Sequence, residues 1–355
     1  MATVSEIRSV TVSKRDLSEA LSKVKHTVSG SEMIQILKCF CFQDGRVASS
    51  NGSAGTVSKC DVGGAEFCVL AEKFRQVVES MHDEITLEFE DGYLYVKSGK
   101  GKYKVGTFPT RGFPDLIPND IEKFCEATNF VEAVKRVEFT MSDNALKQQL
   151  MGVGVCGSYV YSGDGKRISR MKLNSPAAGQ LTIPKQSVKH IISLGQPDYV
   201  FRTRSLVGGL FAEKGTIYTA NCVADDFPFV HVDQVLSNLS EGIWVDFPED
   251  LPEAVKRVQL LAATEETQIV VSNKGMGLLE FEAKSEMGSA FDAVTWSCQY
   301  PFRFAVSPDW LVKAFEQTSR VDISDVIDDG QKRILRFASD DGFEHILALM
   351  ILRDE

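Results

Sequence analysis

The sequence predicts an α+β chain of three tandem units, each with two helices and several antiparallel strands. Three observations predict it. A helical six-residue pattern recurs three times along the 355 residues. A second apolar helical stripe recurs at nearly the same offsets. Between the helices the hydrophobic period switches from the helical value to two.

The first helix of each unit carries the pattern Glu-Ala-apolar-polar-basic-Val. It reads Glu19-Ala20-Leu21-Ser22-Lys23-Val24, then Glu132-Ala133-Val134-Lys135-Arg136-Val137, then Glu253-Ala254-Val255-Lys256-Arg257-Val258, at offsets of 113 and 121 residues. In each copy the Glu precedes a basic residue by four positions, the favourable orientation for a helical pair. Pro252 suits a first helical turn. The second helix repeats as the i, i+3, i+4 stripes Phe74/Val77/Val78, Val188/Ile191/Ile192 and Leu311/Ala314/Phe315, offset by 114 and 123. A third element, Phe113-Pro114-Asp115, returns 114 residues later as Phe227-Pro228-Phe229, with no counterpart in the third unit.

Strands fill the spaces between. Ile85–Phe89 alternates, Asp91-Gly92 offers a hairpin turn, and Tyr93–Val96 resumes the strand. Lys102–Val105 alternates again. Val200–Arg204 and Leu210–Thr219 take the equivalent place in the second unit, and Ile334–Phe337 and Ile346–Leu352 in the third. The predicted domains are 1–121, 122–241 and 242–355, each of about 115 residues and long enough for its own core.

Composition narrows the function. Hydrophobic residues make up 43% and charged residues 25%, which argues against disorder and collagen-like repeats. No apolar run approaches the ~20 residues of a membrane helix, and the N-terminus lacks a signal pattern, so the expected location is cytoplasmic and membrane contact is not expected. None of the eight cysteines forms a Cys-x-x-Cys pair, and the five histidines are scattered. Cys39 and Cys41 share a strand face and are expected to be small buried apolar residues in a reducing compartment. Phosphate-loop, nucleophile-elbow and dinucleotide motifs are missing; Gly99-Lys100-Gly101-Lys102 lacks a strand–loop–helix context. The expectation is a protein that is not an enzyme, with no metal and no cofactor.

The formal net charge of −10 seems at first to exclude a polyanionic partner. Its distribution says otherwise. Residues 1–120 hold 15 basic and 16 acidic side chains, 121–240 hold 13 and 11, and 241–355 hold 11 and 22. The deficit sits in the last third. The repeated helices are locally basic: Lys14, Arg15, Lys23 and Lys25 in the first copy, Lys135 and Arg136 in the second, Lys256 and Arg257 in the third. Lys73, Arg75, Lys185, Lys189 and Lys313 mark the second helices. Lys97, Lys100, Lys102 and Lys104 crowd one hairpin, with Tyr103 and Val105 on the opposite strand face. Glu280, Glu282 and Glu286 offer an acidic segment in the last unit. A basic edge at one end and an acidic edge at the other suit head-to-tail joining.

Five stretches, in this order and spacing, carry a family resemblance. They are Lys104–Pro118, Phe139–Gly152, Tyr161–Met171 (centred on Gly163-Asp164-Gly165-Lys166-Arg167-Ile168), Asp225–Val232, and the tail Met350-Ile351-Leu352-Arg353. With the threefold repeat, the chain resembles the bacterial DNA polymerase III β sliding clamps over nearly its whole length. The resemblance implies three tandem clamp domains, each with two inner helices and outer antiparallel sheets, closing into a head-to-tail dimeric ring. Such rings slide on duplex DNA without reading sequence and give a polymerase processivity.

The resemblance also assigns residues. DNA-facing positions are Lys23, Lys25, Lys135, Arg136, Lys147, Gln148, Gln149, Lys189, Lys256 and Arg257, which would touch phosphates rather than bases. A cleft for a short partner peptide maps to Leu150, Gly165, Lys166, Arg167, Ile168, Pro228, Met350, Ile351 and Leu352. The implied partners there are the replicative DNA polymerase and the clamp loader. The homodimer joint maps to Lys100, Lys102, Tyr103, Val105, Leu260, Leu261, Glu280 and Glu282. Some positions depart from the family. Ile351 stands for the usual Pro of the tail, Leu352 for a Met, Asp354-Glu355 extend it, and Lys166-Arg167 replaces His-Arg. Lys147-Gln148-Gln149 lacks an aromatic that could stack on DNA. The drift points to a divergent form, such as one encoded by a virus of bacteria. The competing reading is an acidic oligomeric scaffold that binds proteins and encircles no DNA.

Overall fold

The computed structural model describes residues 8–30, 34–90, 92–203, 206–211, 215–221, 227–239, 242–262, 268–327 and 333–352. Asp91, Arg204, Asp225, Arg353, Asp354 and Glu355, all used above, lie outside the described residues. The chain packs as two compact units. One comprises residues 1–131 and 175–224, the other 132–174 and 225–355. The middle third of the chain therefore contributes to both.

In the first unit one antiparallel sheet runs through twelve strands. Their order is β1 (Arg8–Ser13), β6 (Glu84–Glu90), β7 (Tyr93–Ser98), β8 (Gly101–Phe108), β5 (Phe67–Leu70), β2 (Cys39–Gln43), β3 (Arg46–Ser50), β4 (Ala54–Lys59), β16 (Thr216–Asn221), β15 (Leu206–Phe211), β14 (Tyr199–Arg202) and β9 (Glu122–Glu126). The β4–β16 ladder, with Ser58 opposite Thr216, joins the first third of the chain to the second in one sheet. The hydroxyls of that pair lie 3.0 Å apart. Helices α1 (Lys14–Val24) and α2 (Ala71–Glu79) follow β1 and β5, and α4 (Lys185–Leu194) follows β13 (Gln180–Pro184).

The sequence explains these helices. Ser13 caps α1 by accepting from the Asp16 amide, and Glu19 pairs with Lys23 at 2.8 Å. The buried stripe is Leu17, Ala20, Leu21 and Val24 on α1, and Phe74 and Val78 on α2. In the core, Phe42 stacks on Phe67 at 4.7 Å and meets Phe74 edge-on at 5.8 Å. Truncating such a ring to Ala costs about 3–5 kcal/mol.

The second unit has two antiparallel sheets. In one the strands run β10 (Gly152–Cys156), β11 (Tyr159–Gly163), β12 (Arg167–Lys172), β24 (Phe343–Ala348), β23 (Ile334–Ala338), β22 (Arg320–Asp322) and β17 (Trp244–Asp246). The other runs β20 (Gly288–Thr295), β19 (Leu278–Ser285), β18 (Ile269–Asn273) and β21 (Phe302–Val306). Helices α6 (Leu251–Gln259) and α7 (Pro308–Gln317) bury Leu251, Val255, Val258, Leu311 and Phe315 in the largest core, with Phe281 and Phe337. Helix α3 (Phe130–Val137), whose first two residues belong to the first unit, buries Phe130, Ala133, Val134 and Val137. The β12–β24 ladder repeats the device of β4–β16.

Three expectations change. Leu210–Thr219 is not one strand: it spans the end of β15 and the start of β16, which pair with each other. Gly215 turns there at φ +54°, and apolar residues on both arms hid the turn. The strand expected over Ile346–Leu352 ends at Ala348, and Met350 makes only an isolated bridge to Ala305. Two helices were not foreseen, α5 (Phe229–Ser237) and α8 (Ser324–Ile327). The first opens in the Phe-Pro-Phe segment, where Pro228 serves as its N-cap. The second is a single turn, too short to show a helical period.

Candidate functional site

The cleft residues from 147 to 352 all belong to the second unit. Asp164 organises the turn between β11 and β12. Its Oδ1 accepts from the amides of Lys166 and Arg167, both at 2.8 Å, and its Oδ2 accepts from Arg167 Nε at 2.9 Å. Gly165 takes φ +90°, which favours glycine. Lys147 Nζ donates to the Asp164 carbonyl at 2.9 Å. Beside the turn lies a cluster of buried Tyr161, Phe227, Phe229 and Val232, with Leu150 and Ile168 packed against it. Gly154 lets the Phe227 ring approach the sheet: a Cβ there would fall 2.6 Å from the ring. The structure thus brings Leu150, Gly165, Ile168 and Pro228 around one apolar cluster.

The basic pair takes its place from Trp310 on α7. The Arg167 guanidinium lies 4.9 Å from the indole centroid and Lys166 Nζ 5.6 Å. The tail follows β24. The Ala348 amide donates to the Lys166 carbonyl, Leu349 to Arg333, and Met350 to Ala305, at 2.8–2.9 Å. Met350 and Leu352 line an open cleft of about 360 Å³ with Phe302, Phe304, Val326 and Ile327. Arg303, Asp325 and Arg333 line it too. Ile351 points away, 68% exposed. His345 on β24 is fully buried beneath this region, its Nδ1 2.8 Å from Ser169 Oγ on β12. Burial, and then the Arg167 charge, lower its pKa to about 3.

The joint residues fall on two strand edges. β8 pairs with β7 from Gly101 to Gly106, and with β5 only at Thr107 and Phe108. Its stretch from Gly101 to Gly106 is therefore open on one side. Lys102 and Lys104 lie over the rings of Tyr95 and Tyr93, at 4.4 and 3.8 Å, while Val105 packs on the core. Tyr103 is exposed. In the second unit β20 is the terminal strand of its sheet. Near it lie exposed Leu260 and half-buried Leu261, whose methyl would be 3.9 Å from a Cβ on Gly288, and the carboxylates of Glu280 and Glu282 on the paired strand β19. Lys274, by hydrogen bond, holds the Glu280 carboxyl below its usual pKa. Met287 (83% exposed) and Phe291 (62%) add apolar surface that pattern reading missed, because an exposed Phe on an alternating strand reads as core.

The helix cations divide into two groups. Arg15, Lys25, Lys73, Lys135 and Lys189 are exposed and have no ion pair among the described residues. The others are engaged. Lys23 pairs with Glu19, Lys256 with Glu253, Arg257 with Asp292, and Lys313 with Glu316. Arg136 is drawn furthest in. It donates to Asp341 at 2.7 Å, Gln317 at 2.5 Å and Ser339 at 3.3 Å, and its guanidinium lies 4.7 Å from the Phe343 ring centroid. Gln148 and Gln149 are exposed in a short turn beside Lys147. Among the described residues no group of three or more His, Cys, Asp or Glu is placed to hold a metal, and no helix is long and apolar enough to cross a membrane.

No protein-family model matches the sequence, and no curated protein matches it. Solved structures do. A DNA polymerase sliding clamp from Bacillus subtilis superposes with a TM-score of 0.83 at 17% identity, covering 98% of this chain and 100% of that one. The chain has the sliding-clamp fold. A sliding clamp from Pseudomonas aeruginosa bound to griselimycin gives 0.82 at 18% identity, covering 97% and 99%. The DNA polymerase III β subunit of Thermotoga maritima gives 0.81 at 16%, covering 97% and 100%. At these identities the likeness concerns the fold. Within that fold, Trp310 beside Lys166 and Arg167, and Arg303 and Arg333 in the cleft lined by Met350 and Leu352, are neighbours that the sequence did not single out. They come from β21, α7 and the residue before β23, far along the chain; the β12–β24 ladder joins that region to the 164–168 turn.

Proposed function

We propose that the protein is a DNA sliding clamp and not an enzyme. Two copies join head to tail, enclose duplex DNA and tether the replicative polymerase for processive synthesis in the cytoplasm. The observation that carries the reading is the clamp fold over nearly the whole chain. Three features support it. The open edge of β8 is bordered by lysines and the terminal strand β20 by carboxylates and exposed apolar groups, so each edge suits the other. The free lysines suit phosphates. The apolar cluster of Tyr161 and Phe227 near Lys166 and Arg167, and the cleft lined by Met350 and Leu352, suit a short hydrophobic peptide, from polymerase or clamp loader in turn. The domains are 1–121, 122–241 and 242–355, with DNA-facing helices at the repeated positions.

The mechanism is topological. Attraction to phosphates carries no sequence information, so the ring moves along DNA without a register to break. No bond is made or broken. The test is retention on DNA. The protein is loaded on a nicked circle with a clamp loader, and the circle is then cut once. Release on linearisation is the expected result; unchanged retention refutes the reading. Failure to be retained on the circle at all, with a stable oligomer in solution, would favour the acidic scaffold.

A further inference from the structure

The first unit repeats the frame of the second unit's aromatic cluster but leaves it hollow. β2 and β3 precede β10 and β11 by 113 residues, and each pair continues into a third strand, β4 or β12. At that offset Ala48 matches Tyr161. The Phe-Pro segments match at 114, so Asp115 matches Phe229. In the second unit the Tyr161 ring packs against Phe227 at 6.3 Å and Phe229 at 5.7 Å. The first unit has a methyl group and a carboxylate at those places. What remains is a cleft of about 340 Å³, walled by Cys41, Ala48, Val57, Phe113 and Leu116.

The cleft is held open by its own frame. Asp115 Oδ1 accepts from the Ile117 amide at 3.1 Å, and the Phe113 amide donates to Thr110 at 3.0 Å. Leu116 is locked over Gly55, where a Cβ would lie 2.5 Å from its methyl. A dry cavity of about 150 Å³ already admits a benzene ring, so this one has room for a ring and the backbone that carries it. Asp44, Arg46 and Asp115 also line the cleft, two carboxylates against one guanidinium. Asp44 and Arg46 are exposed and have no ion pair among the described residues.

We propose that this cleft receives an aromatic side chain of a partner polypeptide, next to a basic residue that meets Asp44 and Asp115. The second unit shows what fits the frame, because there the chain supplies the ring itself. In the first unit the ring must come from outside. The proposal does not depend on DNA encirclement.

Saturation-transfer NMR on the full chain tests it, with p-cresol (the tyrosine side chain), acetyl-Lys-Tyr-amide and acetyl-Lys-Ala-amide as probes. Both aromatic probes are expected to receive saturation, and acetyl-Lys-Ala-amide is not. Ala48→Tyr and Asp115→Phe each rebuild the filled cluster and are expected to cut the transfer at least fivefold; two separate fillings guard against one misfolding. Asp44→Asn is expected to weaken the Lys-Tyr probe and leave p-cresol unchanged. Equal transfer to wild type and both filled variants overturns the proposal. So does equal binding of the Lys-Tyr and Lys-Ala probes.

Discussion

Acidification from pH 7 to pH 5 is expected to destabilise the second unit through one side chain, His345. The ring is fully buried between β12 and β23, facing Ser169, Phe337 and Phe139, with Arg167 and Asp164 as its charged influences. Burial first, and Arg167 second, lower its pKa from 6.5 to about 3; Asp164 opposes weakly. A lowered pKa means that the native state binds fewer protons than the unfolded one. Stability is therefore full above pH 6.5, falls as pH drops below that value, and goes on falling to about pH 3. The slope is about 1.4 kcal/mol per pH unit in this window, so pH 5 should cost about 2 kcal/mol relative to pH 7.

The assay follows from where the tryptophans sit. Trp244, Trp296 and Trp310 all belong to the second unit, so their fluorescence in urea reports that unit. With an m-value of about 2 kcal/mol/M, the midpoint should fall by about 1 M between pH 7 and pH 5 at fixed protein concentration. His345→Gln keeps a polar group for Ser169 but cannot take up the proton. Its midpoint should be nearly independent of pH over the same interval. His26 and His190 also have lowered values, chiefly through burial, but they lie in the first unit and are common to both proteins. If His345→Gln loses as much stability as the wild type, the reasoning is wrong.

Other outcomes follow from the same geometry. Arg136→Ala should lower the stability of the second unit by about 1–2 kcal/mol in urea, since it strips a half-exposed ion pair and a ring contact. Lys25→Ala, Lys73→Ala, Lys135→Ala and Lys189→Ala should each reduce the salt dependence of DNA binding by about 0.9 in log–log slope, measured by fluorescence anisotropy. Lys256→Ala and Arg257→Ala should change that slope little, because both cations already face carboxylates. Leu260→Asp or Lys102→Glu should shift the native mass toward monomer, and restoration of the dimer by pairing Lys102→Glu with Glu280→Lys would identify the joint. Removing residues 350–355 should abolish binding of a polymerase tail peptide in calorimetry while leaving the oligomer intact; unchanged binding would move the peptide site elsewhere.

Much of the fold was legible because it is periodic. Six helices and their buried faces follow from Glu-to-Lys spacing and from i, i+3, i+4 stripes such as Phe74/Val77/Val78, signals contained within two helical turns. The missed pieces lack such signals. Helix α8 is one turn, α5 begins inside an aromatic run, and the β15–β16 turn hides between apolar arms. The cleft was half legible. Asp164-Gly165 announces a turn and Met350–Leu352 an apolar tail, but Trp310 is one of several apolar residues on α7, and nothing local marks it as the ring beneath Arg167. Pairing across long separations decided the cations as well. Arg136 and Lys135 look equivalent in sequence, and one side chain turns to Asp341 while its neighbour stays in solvent.

That division of the cations bears on how a clamp can hold DNA without gripping it. At physiological salt, charges separated by more than about 8 Å scarcely sense each other. The acidic surplus of the last third therefore matters only where it lies next to a cation, and there it does lie next to one: Lys256, Arg257 and Lys313 each face a carboxylate. Those positions keep a basic residue in sequence while presenting little net charge. On the proposed function, attraction to DNA then rests on Arg15 and the few free lysines of the earlier helices. On the topological reading this is an advantage rather than a loss. A closed ring needs no affinity to stay on its track, and each extra phosphate contact deepens the wells it must leave to slide. Relieving one pair tests the point. Asp292→Asn frees Arg257 and should raise DNA affinity while slowing one-dimensional diffusion on stretched DNA; faster diffusion, or affinity unchanged at low salt, would show that the pairing has no bearing on the DNA contact.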